Sequence, residues 1–200
     1  MENLLDGVEI VGEFSPQREH GGIAAAGTGA FISYDFKAGS LGTLSISLAG
    51  IDANWPDMNP IINGLTLELI DPDAIPGEVD KSSAADFGSF TGADQGEGLD
   101  LAGNFVFAVN LLGPGGGTAG DATFTADDST ANFAVTAQNA IIEWATTEFG
   151  DTANDDALEA VMSSIRWSGH PTPVNLTLGG QPTARARGGV ADEHARPHGK

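Results

Sequence analysis

The chain interrupts itself at short, regular intervals. Glycine and proline, 28 and 10 of its 200 residues, separate brief runs rich in Thr, Ser, Val, Ile and Phe. Turn signals spaced about eight to twelve residues apart leave room for strands and not for long helices, which predicts an all-β fold, an antiparallel β-sandwich. The candidate strands are VEIVGEF (8–14), AFISYDF (30–36), TLSISLA (43–49), GLTLELI (64–70), NFVFAVNLL (104–112), DATFTA (121–126), NFAVTAQ (132–138) and PVNLTLG (173–179). Most alternate with the two-residue period of a half-buried strand. In TLSISLA, Leu44, Ile46 and Leu48 share the inward face. In AFISYDF, burying Ile32, Tyr34 and Phe36 leaves Phe31 outside or at an edge. NFVFAVNLL is apolar almost throughout and reads as a strand covered on both faces, or a central one near a loop layer.

One stretch keeps a different period. In NDDALEAVMSSIRW, Leu158, Val161, Met162 and Ile165 recur at helical spacing, and Asp155 and Asp156 fall in the first turn, where the helix dipole favours negative charge. A short helix capped by Asn154 or Asp155 is expected, running into a strand at 165–168. Residues 71–86, DPDAIPGEVDKSSAAD, have the composition of a linker, and residues 181–200, QPTARARGGVADEHARPHGK, that of a disordered basic tail.

Charge narrows the range of partners. Eight Lys and Arg against 28 Asp and Glu give a formal net charge of -20, which argues against nucleic acid and anionic lipid, because phosphate recognition needs clustered cations. The absence of cysteine removes disulfides and thiolate metal sites. No stretch approaches the length of a membrane span, and Glu-Asn-Leu-Leu-Asp after Met1 is not a signal peptide, so the chain is expected to be cytoplasmic or a piece of something longer.

NPIINGLTLELI (59–70) reads as the closing strand of a domain, with Asn63-Gly64 as a tight turn before alternating Leu65, Leu67 and Leu69. Together with LLDGVEIVGEF and GGIAAAGTGAFISYDFKAGSLGTLSISLAG it resembles the C-terminal half of malectin-like domains, the galactose-binding-like sandwiches of bacterial surface proteins. This resemblance covers roughly residues 4–70. NFVFAVNLLGPGGGTAGDATFTAD and AIIEWATTEFGDTANDDALEAVMSSIRWS resemble the opening half of the same domain. The resemblance implies that residues 1–70 are the second half of one repeat and 87–180 the first half of the next, joined by the 71–86 linker. Such halves have complementary edges and can dock as a circularly permuted jelly-roll with one short helix, the alternative being a loosely packed pair of half-sheets. It also implies a secreted or cell-surface protein that binds carbohydrate, with Asp57 the nearest match to the family's binding residues.

No nucleophile with an adjacent base stands out. His20 lies in a polar, Gly-flanked loop, and GPGGGTAGD lacks the Lys and Ser or Thr of a phosphate loop, so catalysis is not expected. IDANWPDMNP sets Trp55 between Asp52 and Asp57, and Trp144 lies near Glu143 and Glu148. An aromatic face for the ring C–H groups beside carboxylates for the hydroxyls is the chemistry of a sugar site, so Trp55, Asp57, Trp144 and Glu148 are its candidates, with loop packing the competing role for both tryptophans. Trp167 is expected in the core. GDTANDD gathers oxygen ligands at Asp151, Asn154 and Asp155 in a spacing that is not a twelve-residue calcium loop, which makes calcium the candidate cofactor. A carbohydrate-binding module is thus the leading expectation, and a structural or adhesion repeat stabilised by calcium, with another surface protein as partner, the alternative.

Overall fold

The computed structural model describes residues 2–5, 8–11, 14, 27–37, 43–50, 58–70, 85–113, 115, 117–144, 148–179 and 185–192. The described strands run in order β1 (Glu2–Leu5), β2 (Val8–Val11), β3 (Gly29–Lys37), β4 (Leu44–Ala49), β5 (Ile61–Ile62), β6 (Gly64–Leu69), β7 (Ala85–Phe90) and β8 (Phe105–Asn110). They continue with β9 (Thr118–Ala119), β10 (Ala122–Thr123), β11 (Thr125–Ala126), β12 (Phe133–Thr136) and β13 (Asn139–Ile141). One helix, α1 (Ala153–Met162), precedes β14 (Ile165–Trp167), β15 (Val174–Leu178) and β16 (Arg185–Asp192). The all-β, sandwich-like expectation holds. No helix among the described residues is long and apolar enough to cross a membrane.

Two sheets make the body. One is ordered β12-β15-β4-β1-β2 and the other β11-β8-β6-β16-β3-β7, and their pairings are antiparallel apart from β11 with β8. Each takes strands from both sides of residues 71–84, so a single interior is shared by the two stretches. Leu44, Ile46 and Leu48 do point inward, opposite Ile32 and Tyr34 of β3 and Leu65 and Leu67 of β6, with Val174, Leu176 and Leu178 completing the layer. The side chain of Phe36, expected to join them, lies outside the described residues.

A second apolar layer lies on the outer face of the six-stranded sheet. There Leu158, Val161 and Met162 of α1 pack with Phe90, Ala108 and Phe124. Phe149 stacks on Phe90 at a ring-centroid distance of 5.6 Å. The two-sided cover expected for NFVFAVNLL is found only at its far end: Ala108 enters the outer layer and Val109 the inner one, whereas Val106 is 43% exposed.

Val106 is exposed because β8 bulges. Phe107 pairs with Leu67 but Phe105 pairs with the very next residue, Glu68, so an extra residue sits on β8 at this point. Two phenylalanines that strict alternation would put on one face are thereby sent to opposite faces. Phe107 packs against the sandwich interior and Phe105 against the helix layer.

The Asn63-Gly64 pair is not the expected tight turn. At Asn63 the chain passes from β5, which pairs with β14, into β6 of the large sheet. Asn63 is fully buried, and its amide donates to the carbonyls of Met162 (2.8 Å) and Ser164 (2.9 Å) at the end of α1. Asn110 donates to the Ala160 carbonyl at 3.0 Å. A helix leaves its last carbonyls without internal partners, and buried amides from the sheet supply them here. Gly64 allows the approach: a Cβ there would lie 2.8 Å from Val161 Cγ1.

The disordered-tail reading of 181–200 needs correction over Arg185–Asp192, which forms β16 between β3 and β6 with partners on both sides. Composition missed it because Gly188, Gly189 and the arginines carry no strand signal, whereas two neighbouring edges can supply a full ladder of backbone bonds. Of the expected linker, 71–84 lies outside the described residues, and Ala85 and Asp86 open β7.

Candidate functional site

The start of α1 is built from a reciprocal cap. Thr152 is the N-cap: its hydroxyl accepts from the Asp155 N–H at 3.2 Å, while Asp155 Oδ2 accepts from the Thr152 N–H at 3.3 Å. The expected caps, Asn154 and Asp155, lie inside the helix instead. Asp155 serves as the acidic member of the box and is 1% exposed, because a second segment closes over it. Ala93 donates its N–H to Asp155 Oδ1 at 3.2 Å. Glycines permit this closure: a Cβ on Gly92 would lie 2.6 Å from Asp155 Oδ1, and one on Gly150 2.5 Å from its Oδ2.

The covering loop brings two further carboxylates. Asp94, Glu97 and Asp155 each present an oxygen within 4.8 Å of the others, and together could hold a metal ion. Asp94 accepts from the Asn154 amide at 2.8 Å and from the Thr152 hydroxyl, and Glu97 accepts from the Asp94 N–H at 3.2 Å. The hydroxyl and then the amide hold the Asp94 carboxyl below the ordinary aspartate range, with slight burial acting the other way. The Thr152 hydroxyl also lies 2.6 Å from Asp155 Oδ2, yet it has one proton for two carboxylates.

Of the residues expected to bind metal, Asp155 lies in this cluster and Asn154 is bonded to it, its own carbonyl accepting from the Gly120 N–H at 3.0 Å. Asp151 is exposed and not among the three. Asp94 and Glu97, within TGADQGEG (91–98), were missed in the sequence. Their spacing meets no ligand pattern, and the helix they face begins more than fifty residues later.

The same loop walls a pocket. Beyond Glu97, residues Gly98 to Leu101 line a cavity of about 250 Å³ between the outer face of the six-stranded sheet and α1. Phe31, Phe105 and Phe124 give it aromatic walls, and Ser33, Thr66, Glu68, Asp86 and Asp100 add polar groups. Phe31 thus has a partner layer on the face where alternation had left it outside. Asp86 is paired with Ser33 across β3 and β7, so these two strands meet the pocket side by side. Between Ser33 and Thr66 the strand β16 places Gly189, which has no side chain to fill the space.

Among the sugar-binding candidates, Trp55 and Asp57 lie outside the described residues, as does His20. Trp144 is half-buried, its backbone N–H donating to the Ser163 carbonyl at 2.5 Å, and Glu148 is exposed; neither lines this pocket. Trp167, expected in the core, is half-buried in β14. Compared with known proteins, the chain matches no family model, no curated protein and no solved structure.

Proposed function

We propose that the chain is a non-catalytic carbohydrate-binding module whose ligand enters the pocket beside α1. One observation carries the reading: a bulge in β8 sends Phe105 across the sheet to join Phe31 and Phe124 around a cavity with Ser33, Thr66 and carboxylates among its lining. Aromatic faces accept the C–H side of a sugar ring, and hydroxyl and carboxylate oxygens accept its hydroxyls. Calcium at Asp94, Glu97 and Asp155 fits as a support, since a hard cation prefers oxygen ligands and the loop that offers two of them continues into the pocket wall. In this reading the chain comprises two malectin-like half-repeats docked as one permuted, galactose-binding-like jelly-roll from a secreted or surface protein. The mixing of strands from both stretches in each large sheet supports it.

A glycan array on the purified chain tests the binding. A set of related sugars retained in calcium, and lost on Phe105→Ala, is the expected result, and a flat response at high protein concentration rejects it. The second reading, a structural or adhesion repeat fastened by calcium, draws on the way Asp155 and Asp94 tie the α1 start to the loop at Ala93 and Asp94. A melting curve with and without calcium addresses that clause, because a ligand bound only by the folded state at about 100 times its Kd adds about 2.7 kcal/mol. An unchanged midpoint removes calcium from both readings.

A further inference from the structure

We infer that the pocket beside α1 takes a sugar ring carrying a protonated amine, an unacetylated hexosamine. The inference rests on the carbohydrate reading and narrows it. The cavity, about 250 Å³, falls just below the ~300–1,000 Å³ of ordinary ligand pockets, which suits one sugar ring. Its walls are apolar at Phe31, Phe105 and Phe124, while Asp86 and Asp100 are exposed. No Lys, Arg or His occurs among the described lining residues. Arg187 of β16 stands in register opposite Glu68, so the carboxylates offered to an ammonium are the exposed Asp86 and Asp100.

A neutral hydroxyl and an ammonium both donate to a carboxylate, but the charged donor makes roughly twice as strong a bond, and more so against an apolar wall. The chain's charge of -20 adds a field that draws cations toward the pocket. An N-acetyl group removes the charge. The amino sugar therefore gains through charge over both glucose and its own acetylated form.

The test is an NMR titration of the whole isotope-labelled chain in calcium and low salt. A pH of about 6 keeps the amine protonated, below the ~7.7–8.0 of an α-amino group. The probes are glucosamine, galactosamine, glucose, N-acetylglucosamine and ethanolamine, read at the amides of Ser33, Thr66 and Leu99. The expected result is that one of the amino sugars binds about ten-fold more tightly than glucose or N-acetylglucosamine. Added salt should shrink this ratio, and the double variant Asp86→Asn with Asp100→Asn should bring it to about one while its spectrum remains folded. Equal affinity for all the sugars overturns the amine and leaves the carbohydrate reading standing. Ethanolamine binding as tightly as an amino sugar overturns the ring, and with it that reading. No shift at these amides with any probe overturns both.

Discussion

Asparagine 63 is where the fold is most exposed to a small chemical change. Asn63→Asp keeps the side chain's size and replaces its NH2 by oxygen, so neither a cavity nor crowding confuses the result. The two carbonyls it serves, on Met162 and Ser164, would lose their donor in a fully buried setting. An unsatisfied buried acceptor costs about 1–3 kcal/mol, so the pair sums to about 2–6 kcal/mol, with about 4 as a central value. Against a total stability of about 5–15 kcal/mol this is a large share, equivalent to a fall in Tm of roughly 8–16 °C. The loss has a pH signature. Burial opposite two carbonyls raises the folded-state pKa of the new aspartate above its unfolded value of ~3.9. Its charge penalty is therefore absent below that unfolded value, grows as pH rises toward the folded one and is constant above. The protonated form also returns one O–H donor. Urea unfolding of parent and variant at about pH 8 and pH 4.5 reads both effects, with the parent's own pH dependence subtracted. A variant within about 1 kcal/mol of the parent at pH 8, or a deficit that widens on acidification, would refute the assignment of Asn63 as the donor that closes α1.

Three other outcomes follow from the same packing. Gly64→Ala would set a methyl 2.8 Å from Val161 Cγ1 and 3.2 Å from the Val109 carbonyl oxygen, so it should lower the unfolding free energy read by urea by about 1–3 kcal/mol, and Val161→Ala in the same chain should recover part of that. Thr152→Ala removes the N-cap hydroxyl and should cost about 0.5–2 kcal/mol, seen as a lower melting midpoint in metal-free buffer. Because Asp94 titrates below its ordinary value when folded, its contribution is present above the unfolded pKa of ~3.9 and is lost as pH falls through the folded one. Acid titration followed by circular dichroism should show a shallower limb below about pH 4 in Asp94→Asn, and an unchanged limb would contradict the hydrogen-bonded, anionic Asp94.

Local rules carried the reading of this chain a fair distance. Gly and Pro spacing, two-residue alternation in TLSISLA and the 3.6-residue period of α1 each depend on neighbours within a few positions, and each is matched by a described element. Such periods report which face of an element is apolar, and burial then follows. What they cannot report is the partner. Asn-Gly has the local preference of a turn, yet Asn63 is held as a donor because a helix ending a hundred residues later needs its carbonyls satisfied. The bulge that turns Phe105 outward follows from register against β6, and the strand at Arg185–Asp192 from two sheet edges waiting for a ladder. The candidate site has the same origin. Sequence alone marked Asp155 as an acidic helix start, but the company of Asp94 and Glu97, and the pocket their loop encloses, exist only once that loop folds across the helix end. Propensity is a property of a few adjacent residues; a site assembled from distant segments is decided by packing, where satisfying every buried polar group outweighs what any short stretch prefers by itself.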